Sequence, residues 1–404
     1  MTTRQSIRPP AITRCFPKLA RHPWIWTRIV DLQAEKWLFN LIRPGDEDGN
    51  ARKIRQASFR ITDLCNLRCT TCGQWGKGGF LHDRDLGELK RQEVPPSRYE
   101  TILADLVRHG HHPMIYLWGG EPMLYKGTLQ IIEAASALKL PTSIATNGTL
   151  IASAASRLVR APLFLLQISI DGHCAALHNV LRPGVVGLDN FAEIELALAA
   201  VRREREEQRS TLPLIASLTV ISRENTPHLL DIYETFKDRV DLFVFYLSWW
   251  IDPEGAAAHE EDFRRRFGLT PVLHRGWIAD WKARDFKALD DQMRSLDAAS
   301  ARSGRPPVVF IPHIAGASEL RDYYTDHSKR FGFDRCVSIF QVVEVDSNGN
   351  VSPCRDYHDY VVGNIKDSPL SELWNGSAYR KFRLSLSRDG LMPVCSRCCG
   401  LMGY

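Results

Sequence analysis

Between residues 54 and 250 the chain alternates short apolar runs with stretches of helical spacing. The runs are SFRIT (58–62), MIYLWG (114–119), TSIATN (142–147), LFLLQISI (163–170), PLIASLTVI (213–221) and LFVFYLSW (242–249). Their length and their content of Ile, Val, Leu and Phe suit buried strands. The stretches at 96–108, 127–138, 150–159, 188–208 and 226–237 suit helices. Strands joined by helices predict a parallel sheet with ligands at the strands' C-terminal ends. The expected class is therefore α/β. Six units predict a partial TIM-like (β/α)6 barrel rather than a closed ring of eight.

The flanks read differently. Residues 1–52 form an N-terminal helical extension, whose segment 23–44 carries Trp24, Trp26, Ile29, Val30, Trp37, Leu38, Leu41 and Ile42 at roughly helical spacing. Its mixed charges (Arg28, Asp31, Glu35, Lys36) favour a helix docked on the main body over one lying on anionic lipid. The barrel core is expected over 53–250 and a connecting helical region over 251–330, with helices near 258–267 and 284–303. VVFIP (308–312) is a candidate further strand. A distinct C-terminal unit spans 331–404. There, 340–354 reads as two strands around a Gly/Asn turn, and 370–386 as two helices broken at Gly376.

With 404 residues, 44% apolar and 25% charged, the chain has the composition of a soluble globular protein. A net charge of +5 is too small to argue for nucleic acid. No apolar stretch is long enough to span a membrane, and the start lacks a signal-peptide core, so a cytoplasmic location is expected. The ten cysteines then call for a role other than disulfides. Cys65, Cys69 and Cys72 lie together as C-x3-C-x2-C directly after the first strand. Cys336, Cys354, Cys395, Cys398 and Cys399 gather near the end. Thiolates suit zinc and iron–sulfur clusters. Structural zinc normally takes four ligands in C-x2-C pairs. Three thiols on one loop instead leave one iron of a cubane open.

The triad resembles that of the radical S-adenosylmethionine (SAM) superfamily, and other strand ends match the same family. Gly119-Gly120-Glu121-Pro122 is similar to its GGEP element, whose backbone and Glu hold the methionyl ammonium of SAM. Thr146 and Asn147 are similar to its TNG element. Ser169 and Asp171 take positions that border the SAM ribose and carboxylate. Ile221, with Ser222 and Asn225, would border the adenine. His173, His178 and Arg182 resemble a string found in the peptide-modifying branch; for the two histidines a capping or solvent-facing role stands equally open. Thr71 departs from the pattern, since many relatives place an aromatic residue there beside the adenine. Trp75 or the backbone would then have to build that wall.

The second group of cysteines resembles the SPASM auxiliary-cluster domain, or its shorter "twitch" form. Cys336 and Cys354 fit C-x12-G-x4-C around Gly349, and Cys395 and Cys398 form C-x2-C. The resemblance implies one auxiliary [4Fe–4S] cluster on these four, carried by a small domain of a β-hairpin plus helices. Cys399 is left as an alternative to Cys398 or as a free thiol near the substrate. A zinc ribbon is the competing explanation, against which the wide first spacing argues.

The resemblance implies two cofactors, a [4Fe–4S] cluster bound with SAM and the auxiliary cluster. It also implies reductive cleavage of SAM, fed by an electron donor such as flavodoxin or ferredoxin, and hydrogen abstraction by a 5′-deoxyadenosyl radical. The substrate is either a ribosomal peptide, oxidised or cross-linked, or a small metabolite. A non-enzymatic electron carrier or zinc module would have no need of the SAM elements. Arg182, Tyr246, Trp249, Trp250 and Asp356 are the candidate substrate-facing residues by position.

Overall fold

The computed structural model describes residues 11–42, 47–185 and 187–403. The strands are β1 (Gln56–Thr62), β2 (Met114–Gly119), β3 (Thr142–Thr146), β4 (Leu165–Ser169), β5 (Leu214–Ile221), β6 (Leu242–Leu247), β7 (Val308–Ile311), β8 (Val342–Val345), β9 (Asn350–Ser352) and β10 (Gly363–Asn364). They form one sheet in the order β10-β9-β8-β1-β2-β3-β4-β5-β6-β7. Strands β1 to β7 run parallel in chain order, as the strand–helix rhythm predicts. Two further parallel strands flank the six expected, one at each side. VVFI at 308–311 adds β7 beside β6. The hairpin of the C-terminal unit adds β8, which pairs parallel with the far side of β1. The second cysteine group is thereby tied to the same sheet as the first.

Alternation fixes which way each strand faces. On β1, Ala57, Phe59 and Ile61 are wholly buried in the main core. Helix Pro96–Arg108 covers them. Pro96 starts it, and Tyr99, Ile102, Leu103 and Leu106 recur at helical spacing on its buried face. The Tyr99 ring meets Phe59 edge-on at 5.4 Å. The opposite β1 face carries Ser58, whose Oγ accepts the Trp118 indole N–H of β2 at 2.9 Å. That face looks into the barrel.

Helix Pro23–Ile42 docks beneath the barrel, as its mixed charge suggests. Ile25 and Ile29 pack with Phe164, Leu212 and Leu214 at the starts of β4 and β5. Trp26, Val30 and Trp37 face outward. Among the described residues, no helix is long and apolar enough to cross a membrane. The hairpin between β8 and β9 turns where the Gly/Asn signal lies. Asp346 accepts the Asn348 and Asn350 amides at 2.9 Å each, and Gly349 supplies φ +90°.

Candidate active site

The first three cysteines sit on a loop that leaves β1 and is fastened on two sides. The Trp75 indole N–H donates to the Asp63 carbonyl at 2.6 Å, and the Arg68 guanidinium lies 4.2 Å from the Trp75 ring centre. The Arg68 and Thr70 amides donate to Pro183 and Leu181 at 2.8 and 2.9 Å. So held, Cys65, Cys69 and Cys72 line one cavity of ≈ 260 Å³ at the C-terminal ends of the strands. Each sulfur meets one donor: the Leu67 amide on Cys65 at 3.4 Å, Arg182 Nη1 on Cys69 at 3.7 Å and the Trp75 amide on Cys72 at 3.3 Å. Burial pushes the Cys69 thiol up to about 12 although Arg182 pulls it down. Ligation by a metal must therefore displace thiol protons, which soft iron centres do. Three soft donors on one rigid loop beside an open cavity fit a cluster with one iron left for a non-protein ligand.

Gly119, Gly120, Thr146, Asn147 and Ser169 line the same cavity. The two glycines are needed for a reason internal to the chain. A Cβ on Gly119 would stand 2.2 Å from the Thr62 carbonyl oxygen, and one on Gly120 2.2 Å from that of Leu64. The end of β2 thus packs directly on the root of the cysteine loop. Glu121 is fully buried and already engaged: its carboxylate accepts the Met123 amide at 2.9 Å, the Thr146 hydroxyl at 2.7 Å and the Asn147 amide at 2.7 Å. It ties β2 to β3 behind the wall and is not itself on the lining, nor are Pro122, Asp171 and Ile221. Asp171 accepts the Val220 amide at 2.8 Å and pairs with Arg182 Nε at 2.6 Å. Arg182 thereby faces the cavity between Asp171 and Cys69.

His178 is a buried brace. The Asp171 amide donates to its Nδ1 at 3.2 Å, and the Asn190 side-chain nitrogen, which also donates to the Arg182 carbonyl, lies 3.0 Å from its Nε2. His173 stands outside the cavity with its ring centre 5.0 Å from that of His228.

The aromatic wall comes from Trp249, a candidate by position, and from two residues the sequence reading did not place, Trp277 and Trp281. Trp75 touches the cavity but is pinned by its indole N–H. Trp249 does line it, and its ring stacks at 3.9 Å on Trp277, with Trp281 edge-on to Trp277 at 6.3 Å. Trp277 and Trp281 belong to the 251–330 stretch. A Cβ on Gly73 would stand 2.4 Å from the Trp277 ring, so that glycine next to Cys72 makes room for the indole. Trp250 faces away and packs on His327 at 4.4 Å.

The second cysteine group converges beside this cavity. Cys354 lies in electrostatic reach of Cys395 and Cys336, and Cys398 of Cys354 and Cys395. Burial pushes Cys336 up to about 11 and Cys395 up to about 12. Cys399 adjoins Cys398 and shares with it a cleft that Tyr246 and Trp249 also line. The Asp356 carboxylate accepts from the Cys398 thiol at 2.8 Å and the Cys399 thiol at 3.1 Å. Tyr246 and Cys399 share a narrow cleft, and Tyr116 lines the main cavity. Tyr246 and Asp356 thus lie toward the second thiol group, whereas Arg182 lies at the first.

Comparison with known proteins agrees with this arrangement. Residues 59–235 match the radical SAM superfamily, and residues 336–399 match SPASM, an iron–sulfur cluster-binding domain. The chain is 26% identical over 345 residues to a cysteine-type anaerobic sulfatase-maturating enzyme of Clostridium perfringens, covering 83% of each. It is 26% identical over 359 residues to an AdoMet-dependent heme synthase of Oleidesulfovibrio alaskensis, covering 86% of this chain and 81% of that one. Among solved structures, Streptococcus suis SuiB bound to S-adenosylmethionine superposes with a TM-score of 0.58 at 15% identity, over 84% of this chain and 70% of that one. Native anSMEcpe with bound AdoMet and Cp18Cys peptide gives 0.56 at 21% identity, over 83% of each. The chain is a radical SAM enzyme with a C-terminal SPASM-type cluster domain, and its cofactors are a [4Fe–4S] cluster with SAM and auxiliary iron–sulfur.

Proposed function

We propose that this enzyme oxidises or cross-links a ribosomal peptide. Cys65, Cys69 and Cys72 hold the SAM-binding cluster, and Cys336, Cys354, Cys395 and Cys398 hold one auxiliary cluster. The observation that carries this is the shared interior. Trp249 lines both the first cavity and the cleft that holds Tyr246, Cys398 and Cys399, so the two thiol groups open on adjoining space. A substrate between them touches both. A cluster and SAM held there would supply radical chemistry at a substrate C–H bond. The chain's own residues do the rest. Arg182 fixes the cavity wall through Asp171. Trp249 and Trp277 exclude water from one side. Asp356 stands beside the second thiol group, where it can take the proton that oxidation of the substrate releases, while an auxiliary cluster held there would take the electron. A relative named a sulfatase-maturating enzyme and a structural neighbour with a bound peptide support the peptide reading.

Heme synthases at the same identity support a second reading, oxidation of a small metabolite. Co-expression with any short open reading frame beside its gene separates the two. A precursor that loses hydrogens by mass supports the peptide reading. An unmodified precursor, with sugar or antibiotic genes as neighbours, supports the other. Cytoplasmic residence and a flavodoxin- or ferredoxin-type donor belong to the same proposal.

A further inference from the structure

Glu344 is the third residue of β8. It stands opposite Ser58 on β1, which stands opposite Tyr116 on β2. That register turns its side chain into the barrel interior, on the face that carries Tyr116 and Trp118. The residue is fully buried, and the Ser58 hydroxyl across the strand pair acts on its carboxylate without closing a hydrogen bond of ordinary length on either oxygen. A buried carboxyl left so is costly and calls for a partner.

Its nearest cation is Arg355 Nη1 at 3.9 Å, too far for a paired fork. Other buried carboxylates of the chain are closed tightly by a cation: Asp171 by Arg182 at 2.6 Å, and Asp241 by Arg205 at 3.2 Å with the Ile215 amide completing the latter. Arg355 instead lies over the Tyr116 ring at 5.3 Å, with 22% of its side chain accessible. Carboxyl and guanidinium are held side by side without consuming each other. They lie between the SAM cavity, through Tyr116, and the second thiol group, through Cys399.

We infer that Glu344 and Arg355 hold the polar end of the substrate: Arg355 takes a carboxylate and Glu344 accepts the N–H beside it, the pattern of an amino-acid unit with a free carboxylate. One carbon separates the nitrogen and the carboxylate of such a unit, so both contacts fit groups held 3.9 Å apart. Burial pushes the Glu344 carboxyl up to about 8 against the pull of Arg355, and an oxygen accepts the N–H in either protonation state. The inference rests on the substrate lying between the two thiol groups.

The test uses the reconstituted, SAM-loaded protein without reductant, with hippurate (N-benzoylglycine) as the probe and calorimetry as the readout. Hippurate should bind saturably. Its methyl ester, which loses the charge for Arg355, and its N-methyl analogue, which loses the N–H for Glu344, should each bind roughly tenfold more weakly. Arg355→Met should abolish the preference for acid over ester, and Glu344→Leu the preference for N–H over N-methyl. The ligand comparisons on the wild-type chain stand even if a variant folds poorly. No saturable binding, equal binding of acid and ester, or an N-methyl penalty that survives Glu344→Leu would overturn the inference. Binding is read without turnover. If hippurate binds as expected and no peptide is modified, the peptide reading fails alone.

Discussion

Changing Gly120 to Ala adds one methyl group to the end of β2 and should remove the first cluster. The new Cβ would lie 2.2 Å from the Leu64 carbonyl oxygen, 2.6 Å from its carbon and 2.7 Å from the Asp63 oxygen. All three are backbone atoms, which cannot swing aside as a side-chain tip can. Reaching ordinary contact needs a shift of about 1 Å in the peptide that precedes Cys65. The same shift strains the Gly120 amide bond to Thr62 at 2.9 Å and the Glu121 amide bond to Leu64 at 2.7 Å. Overpacking costs about 1–3 kcal/mol and each of the two weakened hydrogen bonds about 1 kcal/mol, or roughly 3–5 kcal/mol together. The strain falls on the loop that must place three thiols on one cluster. Anaerobic reconstitution followed by iron and sulfide analysis should therefore fall from about eight irons per chain to about four, the auxiliary cluster remaining. Gly304→Ala is the control. Its Cβ meets nothing within 4 Å but sits at φ +76°, so it should lower stability and leave iron unchanged. Full iron and unchanged SAM affinity in Gly120→Ala would refute the reasoning.

Three further outcomes are expected. Trp277→Ala removes a ring worth about 1 kcal/mol of aromatic contact and should weaken SAM binding roughly fivefold, measured by calorimetry on the reconstituted protein. Cys398→Ala should lower iron to about four per chain, while Cys399→Ala keeps about eight; the reverse would move the ligand role to Cys399. The third outcome concerns pH. Folding raises the Glu344 carboxyl from 4.5 to about 8, so the folded state holds the extra proton and stability falls as pH rises through that window. Glu344→Gln should flatten the fall by up to about 1.4 kcal/mol per pH unit in anaerobic denaturation curves. An unchanged slope would show that Glu344 does not titrate there.

Much of this was legible because parallel strands buried on both faces are short, apolar and punctuated, and because the cysteines fall just after β1. The six strands between 56 and 247 and the helix at 96–108 follow from pattern alone. What periodicity could not show was pairing between distant segments. VVFI and VVEV are four-residue runs that become β7 and β8 only because β6 and β1 offer free edges. The cavity lining was legible at Gly119, Gly120, Asn147 and Ser169, where strand ends mark it. It was not legible at Trp277, which arrives from a connecting stretch and shows only as an indole opposite a glycine beside Cys72. Glu344 left one signal, a lone acid in an apolar strand at a position that alternation turns inward.

SAM cleavage by the reconstituted enzyme under dithionite tests the central claim most directly. The wild-type chain should release 5′-deoxyadenosine. Cys69→Ala should release none while keeping about four irons in the auxiliary cluster. Equal release from Cys69→Ala, or no release from a wild-type chain carrying about eight irons, would contradict it.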